Sequence, residues 1–277
     1  MKTVAFITAR GGSTRTPNKN GRDFCGMPLF AWSIVQALNA TNVDKVYFTT
    51  DNEGYAEIAS HYGAEVYMRP VMDNGVTAGV PFRMMLDELD EEGVKFDAIF
   101  DMLPTSPLRK PGQIDELIQA FWDSKKDRLL TAAPMKETFI LKNNSSYWDR
   151  FKEKERVLWY QGKNIVADKF WNYSKMCGGW NIGKTEIYRK IWGDNPILDY
   201  DIDTQPVDTE TVHDLFAVED WQTFEIDYPE DFDLCEAIME KKILKGNGPE
   251  VYGEFIPDDV KYNFALRNGR YNFGQQG

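Results

Sequence analysis

The chain has 277 residues, enough for one large domain with at most a small appendage, and 42% hydrophobic content supplies a substantial core. A formal net charge of −12 and a pI near 4.8 argue against a broad nucleic-acid face or attraction to an anionic membrane, so a phosphate pocket has to be basic locally. Cys25, Cys177 and Cys235 are scattered without a C-x-x-C pair, which excludes a disulfide framework and a cysteine zinc site and suits a reducing cytoplasm. His61 and His213 are too few for a histidine-rich metal centre. The apolar run in MKTVAFITARGG is too short for a signal peptide, and no stretch reaches the roughly 18 apolar residues of a membrane span. A soluble cytoplasmic protein, with no nucleic-acid or membrane partner, is the expectation.

The first half alternates strands and helices. KTVAFITA (2–9) reads as a strand running into a glycine-rich loop, and PLFAWSIVQALNA (28–40) as a helix behind a proline suited to its first turn. KVYFTTD (45–51), AEVYMRP (64–70), FDAIFDML (96–103) and RLLTAAP (128–134) read as further strands. Between them lie helical stretches at 53–63, from Pro81, and at 113–124. This alternation predicts an α/β fold: a three-layer αβα, mostly parallel, Rossmann-like sheet with its ligand at the carboxyl ends of the strands. From about 135 to 185 the pattern fails, and the segment reads as an excursion used for a subunit contact or a substrate lid. QTFEID (222–227) reads as a late strand and 229–244 as a helix, closing a domain of residues 1–245 before a tail at 246–277.

GGWNIGKT (178–185) matches the phosphate-loop pattern G-x-x-x-x-G-K-[ST]. A working phosphate loop follows an apolar strand and consists of small residues, whereas KFWNYSKMC precedes this one and Trp180 and Ile182 sit inside it. A bend at Gly178 and Gly179 beside a buried Trp180 is the better reading. ARGGSTRTPNKNGR (9–22) is the stronger phosphate site. It follows the first strand, Gly11 and Gly12 allow backbone N–H groups close to a ligand, and Arg10, Arg15, Lys19 and Arg22 precede any acid.

ARGGSTRTPNKN resembles the signature loop, approximately A-R-x-x-S-K-G-x-P-x-K-N, of the acylneuraminate cytidylyltransferase family. These enzymes make CMP-activated sialic acids and related 3-deoxy sugar acids. TTDN, the Arg-Pro of YMRP, LPTSPLR and FEIDYPEDF continue the likeness in the family's order, from about residue 1 to 240. The resemblance implies a nucleotidyltransferase that converts CTP and a sugar acid to a CMP-sugar and pyrophosphate. It assigns the triphosphate to Arg10, Ser13 and Lys19, with Gly11, Gly12 and Arg15 in the same loop. Asn20, Arg69 and the backbone near Ala78 would meet the cytidine. Lys19 would offset charge on the transferred phosphate, Arg10 and Lys19 being the catalytic pair. It also implies an acceptor pocket completed near a subunit contact, hence a homodimer.

Glu225 and Asp227 are two apart on a predicted strand and so face the same way, and adjacent carboxylates are costly unless a cation bridges them. Mg2+, which prefers oxygen ligands and phosphate, is the cofactor that fits. Asp227 would equally serve as a cap for the helix that starts at Pro229. In LPTSPLR the prolines stiffen a turn, which does not explain Arg109, read here as an anion contact beside Leu103 and Thr105 on the substrate side. The chain departs from the family at three places: Thr14 replaces a lysine, Glu225 replaces an aspartate, and Leu103 stands where sialic-acid enzymes carry glutamine. The nucleotide half therefore matches the family and the acceptor half is altered. Rival readings are a P-loop kinase using Gly183, Lys184 and Thr185, a non-catalytic nucleotide-binding relative, and a family member with a non-sugar anionic acceptor.

Overall fold

The computed structural model describes residues 1–13, 16–73, 76, 78–134, 174–192, 213–254 and 257. Its strands are β1 (Thr3–Ala9), β2 (Asp23–Phe24), β3 (Met27–Pro28), β4 (Lys45–Thr50), β5 (Glu65–Met68), β6 (Ala98–Met102), β7 (Arg128–Pro134), β8 (Ser174–Lys184) and β9 (His213–Ala217). The helices are α1 (Leu29–Leu38), α2 (Glu53–His61), α3 (Gly79–Glu91), α4 (Gln113–Ser124), α5 (Thr185–Trp192) and α6 (Pro229–Ile238), the last continued by a π-helical stretch at Met239–Leu244.

Seven strands form one sheet in the order β5-β4-β1-β6-β8-β7-β9. β1 pairs parallel with β4 and β6, β4 with β5, and β7 with β9, while β8 runs antiparallel to both β6 and β7. Strand alternation divides β1 between two cores. Ala5, Ile7 and Ala9 face a large cluster with α1, α4 and α6, whereas Val4 and Phe6 face a second cluster built with α3 and α5. Both faces of the sheet are therefore covered, as a buried parallel sheet requires. No helix among the described residues is long and apolar enough to cross a membrane.

Local chemistry explains the element ends near the site. The side chain of Asn52 accepts the N–H of Tyr55 at 3.0 Å, capping α2 directly after β4. β2 and β3 form a small hairpin whose turn residues Cys25 and Gly26 both have positive φ, 49° and 87°. The N-cap of α6 is Tyr228, not Asp227, and Asp231 in the first turn reaches back to accept the N–H groups of Asp227 and Tyr228 at 2.8 and 2.7 Å.

Three expectations change. GGWNIGKT holds neither a phosphate loop nor the expected bend at Gly178 and Gly179: residues 178–184 belong to β8, with Trp180 buried as expected and Ile182 buried as well. Lys184 is bonded to Asp127 at 2.7 Å and Thr185 donates its hydroxyl to the Phe96 carbonyl, so neither presents itself to a nucleotide. None of residues 178–185 lines the cavity at the strand ends described below. The irregular segment expected at 135–185 ends earlier, because the chain is back in the sheet from Ser174; residues 135–173 lie outside those described, as does the tail beyond 257. QTFEID is not a strand. Residues Asp220–Thr223 form a 3-10 turn in which Gln222 bonds the Glu219 N–H and the Leu108 carbonyl, which diverts the backbone from a ladder.

The burial pattern sets a test for the motif. Trp180→Ala should lower unfolding free energy in urea by about 3–5 kcal/mol. Lys184→Ala, which removes a surface pair, should change it by no more than about 1 kcal/mol.

Candidate active site

A cavity of about 360 Å³ opens at the carboxyl ends of β1, β4, β5 and β6. This is where the chain, having added β4 and β5 on one side of β1, crosses to add β6 on the other, the switch point at which open α/β sheets hold ligands. Each strand delivers a polar residue to the cavity soon after its last pair: Arg10 after β1, Asp51 after β4, Arg69 after β5 and, past the apolar Leu103, Thr105 after β6.

The loop after β1 is built by its own hydrogen bonds. Residues Lys19–Gly21 form a 3-10 turn, and Asn20 donates to the Arg10 carbonyl at 3.1 Å, folding the loop back over the strand end. Tyr55 of α2 underpins that turn. It accepts the Gly21 N–H at 3.0 Å and donates to Asn18 Oδ1, and burial pushes its phenol up to about 12, so it keeps the proton it donates. A Cβ on Gly21 would stand 2.6 Å from the Tyr55 ring, which is why glycine occupies that position.

Lys19 reaches across to the opposite wall. Its Nζ donates to the Ile226 carbonyl at 2.8 Å and to Asp227 Oδ1 at 3.1 Å, while Thr16 donates to the Asp227 carbonyl at 3.1 Å. Glu225 enters the same cavity and accepts a hydrogen bond from Ser106 at 3.1 Å. The third wall is an ion pair: Arg69 Nη1 lies 3.2 Å from Asp51 Oδ2, both side chains being buried, and Asp51 Oδ1 accepts the Gly11 N–H at 2.7 Å. Burial lowers the Arg69 pKa from its usual value, against the attraction of Asp51.

The cavity thus gathers Arg10, Ser13, Lys19 and Asn20 from one loop with Arg69 and Ala78. Leu103, Thr105, Glu225 and Asp227 form its other side. Four expected residues are placed differently or lie outside the description. The N–H of Gly11 is committed to Asp51, and the residue is glycine because a Cβ would meet the Asn52 side chain at 2.8 Å. Gly12 stands in open space and, like Gly11, does not line the cavity. Arg15 lies outside the described residues. Arg109 is not an anion contact: it is fully buried and donates to Ser33, Gln36 and the carbonyls of Leu103 and Gly179. Arg22 also points elsewhere, packing its guanidinium 4.3 Å from the centre of the Phe232 ring. Sequence reading missed Asp51 and Ser106. The aspartate of TTDN at a strand's carboxyl end was the available signal for the first, whereas nothing in PTSPLR marked its serine.

The family model for cytidylyltransferases matches residues 4–247. The chain belongs to that family. This cytidylyltransferase is 30% identical to pseudaminic acid cytidylyltransferase of Campylobacter jejuni over 161 residues, 56% of this chain and 69% of that one. It is 34% identical to CMP-N,N'-diacetyllegionaminic acid synthase of Legionella pneumophila over 122 residues, 43% of this chain and about half (53%) of the relative. In fold it is similar to a CMP:2-keto-3-deoxy-manno-octonic acid synthetase structure, with a TM-score of 0.61, 17% identity, and coverage of 88% of this chain and 100% of that one. A cytidylyltransferase structure from Leptospira borgpetersenii matches with a TM-score of 0.52 and 15% identity over 96% of each chain.

The Asp51–Arg69 pair gives this site a stability signature. Asp51→Ala should cost about 3–5 kcal/mol in urea denaturation by leaving a buried guanidinium unpaired, and the Asp51→Ala/Arg69→Met double variant should regain most of it.

Proposed function

We propose that this cytidylyltransferase transfers CMP from CTP to a sialic-acid-like or other 3-deoxy sugar acid and releases pyrophosphate. The observation that carries the proposal is the convergence of Arg10, Lys19 and Arg69 in one cavity at the strand switch point, in a chain of net charge −12. The acceptor class rests on the relatives, whose names specify pseudaminic and N,N'-diacetyllegionaminic acids, and on the family resemblance. Leu103 and Thr105 line the side away from the loop after β1. Leu103 has no polar atom to offer an acceptor there, so selectivity on that side would come from shape and from neighbouring groups.

Charge supports a magnesium requirement. The described lining residues include three cations, Arg10, Lys19 and Arg69, against four carboxylates, Asp51, Asp73, Glu225 and Asp227. A triphosphate added to such a cavity needs a further cation. Glu225 and Asp227 supply hard oxygen donors on one wall, and Asp227 is half exposed to the cavity, its side chain at 49%. Magnesium held by these two carboxylates would complete its octahedron with phosphate oxygens and water. Bound there, magnesium would neutralise charge on the phosphate oxygens.

The rest is positioning by the protein. The acceptor's anomeric hydroxyl oxygen forms a bond to the α-phosphorus, the α–β phosphoanhydride bond breaks, pyrophosphate leaves with the electron pair, and the hydroxyl proton passes to solvent. Lys19 and Arg10 stabilise charge on the phosphates, and Asn20, Arg69 and the backbone at Ala78 orient the nucleoside. Such a reaction gains mainly from alignment and fixed charge. A homodimeric, cytoplasmic enzyme completes the proposal, on the family resemblance and composition.

Pyrophosphate release with CTP, Mg2+ and a panel of 3-deoxy sugar acids tests it. Release is expected with at least one acid, lost by about 10²–10³-fold in Lys19→Ala and retained in Lys184→Ala. CTP binding without release for any acid would point to a non-sugar acceptor or a non-catalytic relative. Removing Mg2+ with a chelator should abolish turnover, and adding it back should restore turnover.

A further inference from the structure

The strand that carries the phosphate-loop look-alike meets the candidate metal wall through one residue. A Cβ built on Gly179 would lie 1.8 Å from Ser106 Oγ and 2.2 Å from Ser106 Cβ, so the serine side chain occupies the space that any other residue at 179 would fill. Ser106 is fully buried and its Oγ lies 3.1 Å from Glu225 Oε1. Facing a carboxylate, the hydroxyl can only donate.

Backbone bonds hold the three segments in register around that contact. Leu103 N–H donates to the Gly179 carbonyl at 2.6 Å, Ser106 N–H to the Leu103 carbonyl at 3.2 Å, and Ile226 N–H to the Thr105 carbonyl at 2.8 Å. The loop after β6 is thus laid on β8 and sewn to the 225–227 segment. At its centre a buried hydroxyl is aimed at one oxygen of Glu225.

The geometry points to Ser106 as a positioning residue that fixes the rotation of the Glu225 carboxyl for a divalent cation, with Gly179 providing the room it needs. Several rotatable bonds carry the Glu225 carboxyl, so it has freedom to lose on binding a metal. A buried donor on Oε1 removes part of that freedom beforehand. Partners of this kind, behind the groups that touch a metal, commonly set affinity by factors of 10–100. The inference rests on Glu225 as a metal ligand, so its test separates the two.

The experiment titrates Mn2+, followed by its electron paramagnetic resonance signal, into enzyme holding CTP without acceptor. CTP binding without metal and thermal unfolding are measured in parallel. Ser106→Ala should raise the Mn2+ concentration at half-saturation about tenfold while metal-free CTP binding stays unchanged. In a Glu225→Gln background the same serine change should add nothing further. Gly179→Ala, which forces the serine aside, should move Mn2+ binding in the same direction as Ser106→Ala. Wild-type Mn2+ binding in Ser106→Ala, where Glu225→Gln weakens it, would overturn the positioning role and leave the metal reading standing. Unchanged Mn2+ binding in Glu225→Gln would overturn the metal reading, and the serine's role with it. A Ser106→Ala variant that loses metal-free CTP binding and thermal stability together would show a purely structural serine and overturn the proposal.

Discussion

Burial of the Arg109 guanidinium is the constraint on which the Leu103–Thr105 side of the cavity depends. A charge out of water is costly unless its donors are taken up. Here the fork reaches Ser33 and Gln36 of α1, the Leu103 carbonyl and the Gly179 carbonyl of β8, with the Trp180 ring centre 5.6 Å away. Tyr252, beyond the stretch matched by the family model, donates to the Arg109 carbonyl at 2.6 Å and accepts from Gln36. Arg109 therefore ties the loop after β6 to a helix and to a strand in the middle of the sheet through its side chain, and to the C-terminal segment through its carbonyl. Leu103 and Thr105 of that loop, both half-buried, line the cavity while Arg109 holds the loop from its buried side.

The other wall shows how an acidic protein makes room for anions. Its cations are already held: Lys19 by Asp227 and the Ile226 carbonyl, and Arg69 by Asp51. Asp51 is bonded at both oxygens, to Gly11 on the nucleotide loop and to Arg69 across the cavity, so it fixes the relation of two loops that leave different strands. A carboxylate inside a site for phosphates is then a structural requirement of the cations around it.

Most of the sheet could be read from periodicity. β1, β4, β6 and β7 were each visible as short apolar runs, and α4 was read at its observed bounds, 113–124, because apolar residues recur there at helical spacing and a proline precedes it. The loop after β1 stood out as a local excess of cations. Three things were not legible, for different reasons. β8 contains three glycines, two of which answer packing that only the fold explains: Gly179 clears Ser106, and Gly183 would put a Cβ 3.1 Å from Arg128 and Tyr188. Such glycines look like a flexible loop when read along the chain, although they serve packing across it. Arg109 looked like a ligand contact because sequence records its charge and not its burial. Residues 222–227 carry a strand-like composition, but side-chain bonds from Gln222 and Thr223 turn the backbone instead.

The antiparallel course of β8 has a topological consequence. β7 runs in the same direction as β6 and ends at Pro134, which pairs with Ser174 at the start of β8. β7 therefore leaves the sheet, and β8 enters it, at the end where the cavity opens. By contrast, the stretch 193–212 leads to the start of β9, at the opposite end of the parallel strands. Because the entropic cost of closing a loop grows only with the logarithm of its length, about 0.6 kcal/mol per doubling, the length of chain joining β7 to β8 can change between relatives while the two strands keep their register. Arg10, Asp51 and Arg69 follow β1, β4 and β5, none of which pairs with β7 or β8, so such a change leaves that wall of the cavity in place.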